Sequence, residues 1–470
     1  MPKVALVNPQ IVTSSFAAPI GFPDDTLIRH SLAFLSAALK GAGHQVCLMD
    51  LRSMRGWDAY EEAVRRERPD FLGVTMHTCE FEASLECLRR AKKVLPQIKT
   101  VIGGIHPTMF PDECLENKDV DFVLKGEGEL SFPKLVERPE SFSPHFWGET
   151  PDLDKVPFED RELWPDYRER IKYPLFVTGR DPFLPPMVEA LTKRGCPWKC
   201  RFCCGPGEQN LFTIEKDGKR APVFRSRSVE NVMRELLGLY EKYRFRSIVF
   251  HDDQFVINVK WVEEFCRAMH DSGLVKKGIR WWAASRPDVI CKNEELFEMM
   301  KNAGAKMLSI GLESFSGRML EWMKKGGTVE QNFRAVEICR KLGIQIYANV
   351  ILGMPYSDGK WHPEDDLESV RAIKEIKPDI RSVSFFTPMP GSWLADWCLK
   401  NGLVLDYETR NLGVRFPTSA RIKGVDYEFL HGIIPREYKL RSLAKKIIKG
   451  MGLSRVAIKS LFFIRKIMAK

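Results

Sequence analysis

Two series of short apolar β-type runs, separated by amphipathic helical stretches, limit most strongly how this 470-residue chain folds. In the first series the runs are Val4–Asn8, Gln45–Asp50, Phe71–Thr75, Thr100–Gly103 and Phe122–Lys125. Helical patterns lie between them, among them Ser31–Leu39, closed by Gly41 and Gly43, and Glu82–Val94. Strands alternating with helices pair in parallel, because each helix carries the chain back across a sheet face to the starting end. Five such strands predict an N-terminal α/β domain over residues 1–135, a parallel sheet of flavodoxin or Rossmann type.

From 136 to 183 the alternation gives way to Pro, Asp, Glu and Trp, as in Arg138-Pro-Glu-Ser, Pro151-Asp-Leu-Asp and Trp164-Pro-Asp. This composition reads as a connector draped over the surface. The second series runs through Pro186–Thr192, Ser247–His251, Ile279–Ser285, Met307–Leu312, Gln345–Leu352 and Arg381–Phe386. Helical patterns fill the gaps, including Val229–Tyr243, Val262–Ser272, Asn293–Ala303, Val329–Leu342 and Asp366–Ile376. Six βα units are too few for a closed eight-stranded barrel. They predict a partial (β/α)6 barrel over 184–403, with its chemistry at the C-terminal strand ends. Aromatics at those ends (Trp281, Trp282, Tyr347, Phe385, Phe386) either wall a cavity or fill the core.

Residues 404–470 form a C-terminal region with an unusual charge. From Arg436 to Lys470, eleven Lys and Arg stand against the single acid Glu437, so this segment carries the whole net charge of +10. The formally neutral body has no basic footprint for nucleic acid. No apolar run reaches the ~20 residues of a membrane span, and a cytoplasmic protein is expected. In the tail, Leu440, Leu443, Ile447 and Ile448, then Leu453, Val456, Ile458, Leu461, Phe462 and Ile467, recur at helical spacing among the cations. Gly450 and Gly452 divide the segment into two basic amphipathic helices. Such helices either lie peripherally on the anionic inner face of a membrane or pack on the barrel with a solvated basic side.

Four of the twelve cysteines crowd between Cys196 and Cys204. Cys196, Cys200 and Cys203 give C-x3-C-x2-C directly after the first barrel strand. Three thiolates on one loop hold three irons of a [4Fe–4S] cluster and leave the fourth iron open. A zinc knuckle is the competing reading, but structural zinc closes with a fourth Cys or His, and no partner motif follows. Cys204 adjoins Cys203 and reads as structural. The eight scattered cysteines read as small core residues.

This triad, with Phe202 before its third Cys, resembles that of the radical S-adenosylmethionine (SAM) superfamily. Phe250-His-Asp-Asp-Gln-Phe255, Trp282-Ala-Ala-Ser-Arg-Pro-Asp288, Ser309-Ile-Gly-Leu-Glu-Ser314 and Ile351-Leu-Gly-Met-Pro355 extend the similarity from about Pro186 to Leu403. The resemblance implies that the open iron chelates SAM, whose reductive cleavage yields a 5′-deoxyadenosyl radical. Phe202, Asp253, Arg286 and Glu313, near the cluster or at strand ends, become candidate SAM-binding residues, with structural ion pairs as the alternative for the charged ones.

Three loops of the first domain, Thr75-Met-His-Thr78, Gly103-Gly-Ile-His-Pro107 and Gly126-Glu-Gly-Glu129, resemble those of the cobalamin-binding domain that precedes many radical SAM barrels. Thr75, Met76, His77, Gly103, Gly104, Gly126 and Glu127 are then the implied cobalamin-binding residues. The family's Asp-x-His-x-x-Gly cobalt motif is replaced by Asn8-Pro-Gln-Ile-Val-Thr, which has no His. The lower cobalt face is therefore open, held by water or contacted from elsewhere, His77 being one candidate. Taken whole, the resemblance implies an enzyme, a cobalamin-dependent radical SAM methyltransferase. It would move a methyl group from methylcobalamin to an unactivated carbon after the deoxyadenosyl radical abstracts hydrogen. The implied partners are a small-molecule or lipid-like substrate and a reductant such as flavodoxin or ferredoxin. Two rivals stand beside it: a radical cyclase, oxidase or carbon–carbon coupling enzyme with the same cofactors, and a non-catalytic cobalamin-binding regulator.

Overall fold

The computed structural model describes residues 1–9, 27–172, 183–205, 215–216, 219–220, 224–405 and 421–434. Strand β1 (Lys3–Asn8) lies between β2 (Gln45–Asp50) and β3 (Phe71–Thr75), which explains its unbroken apolar run: both faces and both edges are covered. The sheet continues through β4 (Lys99–Gly103), β5 (Phe122–Lys125) and β6 (His145–Trp147). Its order is β2-β1-β3-β4-β5-β6, and every pair is parallel. The direction of winding reverses between β1 and β3, which opens a crevice at the C-terminal strand ends.

One face of this sheet, with Ala5, Val7, Leu72, Val74, Ile102 and Val123, packs with Tyr60 and Val64 of helix Trp57–Glu67 and Leu88 of helix Phe81–Val94. The other face, with Val4, Leu6, Phe71, Val101 and Leu124, shares one continuous core with helices His30–Gly41 and Ser131–Glu137 and with the second domain.

The stretch read as a surface connector departs from that expectation. It supplies the sixth strand, β6, and buries Leu163, Trp164, Tyr167 and Ile171 in the shared core. The Trp164 indole donates to Asp50 Oδ2 at 3.1 Å. Prolines and acids report the lack of regular structure, not exposure; here they alternate with large apolar residues that fill the space between two apolar faces.

The second domain starts at β7 (Met187–Ala190). Two small antiparallel pairs follow, β8 (Lys193–Gly195) with β11 (Phe224–Ser226) and β9 (Glu215–Lys216) with β10 (Lys219–Arg220). The cysteine loop therefore leaves from β8, not directly from the barrel strand. The remaining barrel strands are β12 (Ser247–Phe250), β13 (Arg280–Ser285), β14 (Ala305–Glu313), β15 (Gln345–Leu352) and β16 (Ile380–Phe385). They form one sheet in the order β16-β15-β14-β13-β12-β7, parallel throughout, as the six βα units require.

Alternate residues divide between the two sides of this curved sheet. Ile248, Phe250, Trp281, Leu308 and Ile346 pack with the surrounding helices, whereas Val249, Met307, Tyr347 and Ile380 share a separate cluster with Trp282. Trp281 is therefore core, edge-on to Phe250 and Phe265, while Trp282 pairs with Tyr347 at 5.8 Å on the other side. Phe385 and Phe386 also join the main core. Among the described residues no helix is long and apolar enough to cross a membrane. The basic segment 436–470 lies outside the described residues.

Candidate functional site

The cysteine loop carries Cys196 partly buried, Cys200 buried and Cys203 exposed. Burial pushes the Cys196 thiol up to about 11, and its neighbours Asp253, Cys203 and Cys200 add to the push. Burial also raises Cys200, against the opposing pull of Lys325 and Arg286. Thiols raised in this way stay protonated at neutral pH unless a metal replaces the proton.

Two cations stand beside this loop for reasons readable in the fold. Arg286, directly after β13, is 2% exposed. Its Nη1 lies 3.7 Å from Cys200 Sγ, Nε donates to Asp288 at 3.0 Å, and Nη2 donates to the Lys325 carbonyl. Its guanidinium also stacks 4.7 Å from the centre of Trp198. Lys325 donates through Nζ to Glu313 Oε1 at 3.0 Å, and the same ammonium lies 6.0 Å from the Phe202 ring. Glu313 ends β14 at φ +61°, and a Cβ added to Gly311 would stand 2.4 Å from its Oε1. Glycine at 311 thus lets the carboxylate fold back over its own strand. Phe202, Arg286 and Glu313 do converge on the cysteine loop, joined by Lys325, which sequence reasoning missed. The charge pattern fits a cluster: three thiolates and their irons make an anionic centre, and Lys325 and Arg286, each also held by a carboxylate, are the cations that favour the Cys200 thiolate.

Asp252 and Asp253 follow β12 and have separate roles. Asp252 accepts from Thr192 N at 2.6 Å, Lys193 N at 2.9 Å and Thr192 Oγ1 at 2.5 Å, which fixes the turn from β7 into β8. Asp253 faces a cavity; burial, then the neighbouring Asp252 charge, holds its carboxyl above the usual range.

That cavity, of about 370 Å³ and partly open to solvent, lies between the domains. Thr75, Gly103, Gly104, Gly126 and Glu127 line it from the first sheet. Lys193, Arg194, Cys196 and Asp253 line it from the second domain. Gly104 sits at φ +108°, and a Cβ there would stand 2.8 Å from Met76 O, so the loop backbone itself forms the wall. Strand-end backbone, the Thr75 hydroxyl and an unpartnered buried Glu127 Oε2 give a polar rim over apolar Leu6, Leu32 and Leu124. This combination suits an amide-fringed macrocycle such as cobalamin, part of which the enclosed volume would hold.

Two expected residues turn away. Met76 is fully buried in the core of the opposite sheet face. His77 is half-exposed; its Nδ1 lies 2.6 Å from Arg29 Nη1 and 3.0 Å from Glu80 Oε2. Neither lines the cavity, because the chain leaves β3 into the turn Thr78–Glu80. Glu127 lines the cavity but also accepts from Arg225 and lies 3.3 Å from Arg194 Nη1, while Glu129 accepts from Arg194 Nη2 at 2.6 Å. Lys193, Arg194 and Arg225 were not singled out from the sequence, since a basic residue in a short strand carries no pattern. Lys193 is notable: burial lowers it to about 8, and its Nζ lies 3.2 Å from the centre of the Trp261 ring.

Comparison with known proteins agrees with this geometry. Residues 27–136 match the family model of the B12 binding domain, and 190–367 match that of the Radical SAM superfamily. A hopanoid C-3 methylase of Methylococcus capsulatus is 28% identical over 378 residues, 77% of this chain and 67% of that protein. An anaerobic magnesium-protoporphyrin IX monomethyl ester cyclase of Rubrivivax gelatinosus is 27% identical over 402 residues, 81% of this chain and 68% of that protein. Among solved structures, the radical S-adenosylmethionine methyltransferase TsrM from Kitasatospora setae, with cobalamin and a [4Fe–4S] cluster bound, superposes with a TM-score of 0.62 at 20% identity. That match covers 85% of this chain and 75% of TsrM, and the two share the fold.

Proposed function

We propose that this chain, a B12-binding domain joined to a radical SAM domain, is a cobalamin-dependent radical SAM methyltransferase that places a methyl group on an unactivated carbon. The observation that carries this reading is the single cavity bounded by Thr75, Gly104 and Gly126 on one side and by Cys196 and Asp253 on the other. When bound, the cluster with SAM supplies radical chemistry and cobalamin supplies a transferable methyl group. Cys196, Cys200 and Cys203 would hold the cluster. Arg286 and Lys325 favour its anionic charge and keep Cys200 oriented. Arg286 and Glu313 spend their hydrogen bonds on Asp288 and Lys325, so they act as positioning residues; Asp253 and Phe202 are left to contact SAM. The strand-end backbone of Gly103, Gly104 and Gly126 would cradle the corrin, and the leucines beneath exclude water.

A methylase of hopanoids among the relatives and the basic amphipathic sequence of 436–470 support a lipid-like substrate taken at a membrane surface. A flavodoxin- or ferredoxin-type protein would supply electrons. The cyclase among the relatives gives the second reading. The test begins with protein purified without oxygen, beside the Cys196/Cys200/Cys203→Ala triple variant. Expected are about four irons and one cobalamin per chain, with iron lost and cobalamin retained in the variant. Turnover should release S-adenosylhomocysteine together with deoxyadenosine. Deoxyadenosine alone would favour cyclisation, and absence of cobalamin after reconstitution would overturn the methyl-transfer mechanism.

A further inference from the structure

Among the described residues, apart from the cysteine loop, one cluster of ligating side chains is assembled where the domains meet. We infer that His30, Glu189 and His251 bind a divalent transition-metal ion, of the kind zinc represents. One ligand atom from each lies within 4.8 Å of the others. His30 opens the first helix of the B12-binding domain, Glu189 lies in β7, and His251 follows β12. Register brings the second pair together: β7 and β12 are neighbours, Glu189 is paired with Val249, and His251 N donates to Ala190 O at 3.0 Å. The first ligand then arrives from across the domain boundary, with the imidazole centres of His30 and His251 5.2 Å apart.

The second, independent observation is what these side chains lack. His30 Nε2, Glu189 Oε1 and His251 Nε2 are all buried and make no hydrogen bond, although His251 Nε2 and Glu189 Oε1 stand 3.3 Å apart and pair as ions when the ring is protonated. Glu189 is only 5% exposed, and with a neutral His251 ring its Oε1 is a buried acceptor without a donor, a costly feature that a cation between the three atoms removes. The atoms on the far side of two of these groups are engaged. His30 Nδ1 lies 2.7 Å from Glu159 Oε1, which holds the ring with Nε2 turned inward. Glu189 Oε2 accepts from Ile28 N at 3.2 Å, leaving Oε1 for the centre. A carboxylate behind a histidine is the arrangement that orients metal-bound imidazoles. Nearby Arg161 does not oppose a cation, because Glu159 and Glu235 neutralise it at 2.9 Å each. Two imidazoles and one carboxylate suit zinc or ferrous iron and leave at least one coordination position open. His251 also lines the interdomain cavity, so the ion would stand at the cavity wall. The ion would clip the domains together independently of which reaction the cavity hosts.

Zinc is the probe, added to the anaerobically reconstituted full-length protein, which is then desalted. Expected is about one tightly held zinc per chain, lost at least tenfold in affinity in His251→Ala and in Glu189→Gln. Iron content of both variants should match the parent, as should the far-ultraviolet circular dichroism spectrum, which shows that they fold. X-ray absorption at the zinc edge should report nitrogen and oxygen ligands near ~2.0–2.1 Å and no sulfur near ~2.3 Å. The same zinc should persist in the Cys196/Cys200/Cys203→Ala protein. Sulfur coordination, equal zinc in parent and variants, or no retained zinc would each overturn the assignment; the last would leave a His251–Glu189 ion pair at the domain boundary.

Discussion

Asp366 shows how one buried carboxyl makes stability depend on pH. Its Oδ2 accepts from Gly353 N at 2.9 Å and from Trp361 Nε1 at 2.7 Å. Burial outweighs these bonds and, with Asp365 and Glu364 nearby, pushes the carboxyl up to about 7. The folded state therefore holds this proton more tightly than the unfolded chain. Stability from this group is intact below the ordinary aspartate range and is lost as pH rises toward 7, at up to ~1.4 kcal/mol per unit. Asp366→Asn keeps an oxygen acceptor and removes the ionisation. The melting temperature of the parent should fall relative to Asp366→Asn between pH 5 and 7.5; parallel curves would show that Asp366 does not titrate there.

At the scale of elements, the turn from β7 into β8 decides where the cysteines stand, and Asp252 ties that turn to β12 through three hydrogen bonds. Asp252→Ala leaves buried donors unpaired, each worth ~1–3 kcal/mol. Expected are a lower melting temperature and a markedly reduced iron content at unchanged cobalamin content. Full iron occupancy would mean that the loop is held by other contacts. The strands themselves were legible because burial on both faces demands continuous apolar runs, and the partial barrel followed from counting them. The β8–β11 pair was not, since Lys193-Arg-Gly is three residues long and is made a strand only by a partner thirty residues away. β6 was hidden likewise, because its pairing with β5 is tertiary. The spacing of Cys196, Cys200 and Cys203 drew attention to their loop from the sequence, and the structure sets that loop beside Arg286 and Lys325. Lys325 and the inward turn of Glu313 depend on a φ of +61° that no pattern announces.

Over the whole molecule, function requires the two domains to hold their crevices face to face, and charged pairs span that junction. Arg194 and Arg225, from the β8–β11 ribbon, meet Glu127 and Glu129, from the loop after β5. Arg194 is the sharper case, with its side chain 22% exposed and Glu129 7% exposed. Removing both carboxylates strands a largely buried guanidinium, for which a fully buried pair sets an upper range of ~3–5 kcal/mol; residual solvent contact places this pair lower. The cost falls on the junction, because neither domain's own core contains these groups. Glu127→Gln with Glu129→Gln should therefore split thermal unfolding into two transitions and weaken cobalamin retention, while iron content stays at the parent value. The opposite pattern, one cooperative transition at unchanged temperature, would mean that the shared apolar core around Trp164 and Leu163 suffices to couple the domains. Adding Arg194→Met to the double variant separates the two causes: it removes the stranded guanidinium along with the carboxylates, so the triple variant should recover part of the lost junction stability.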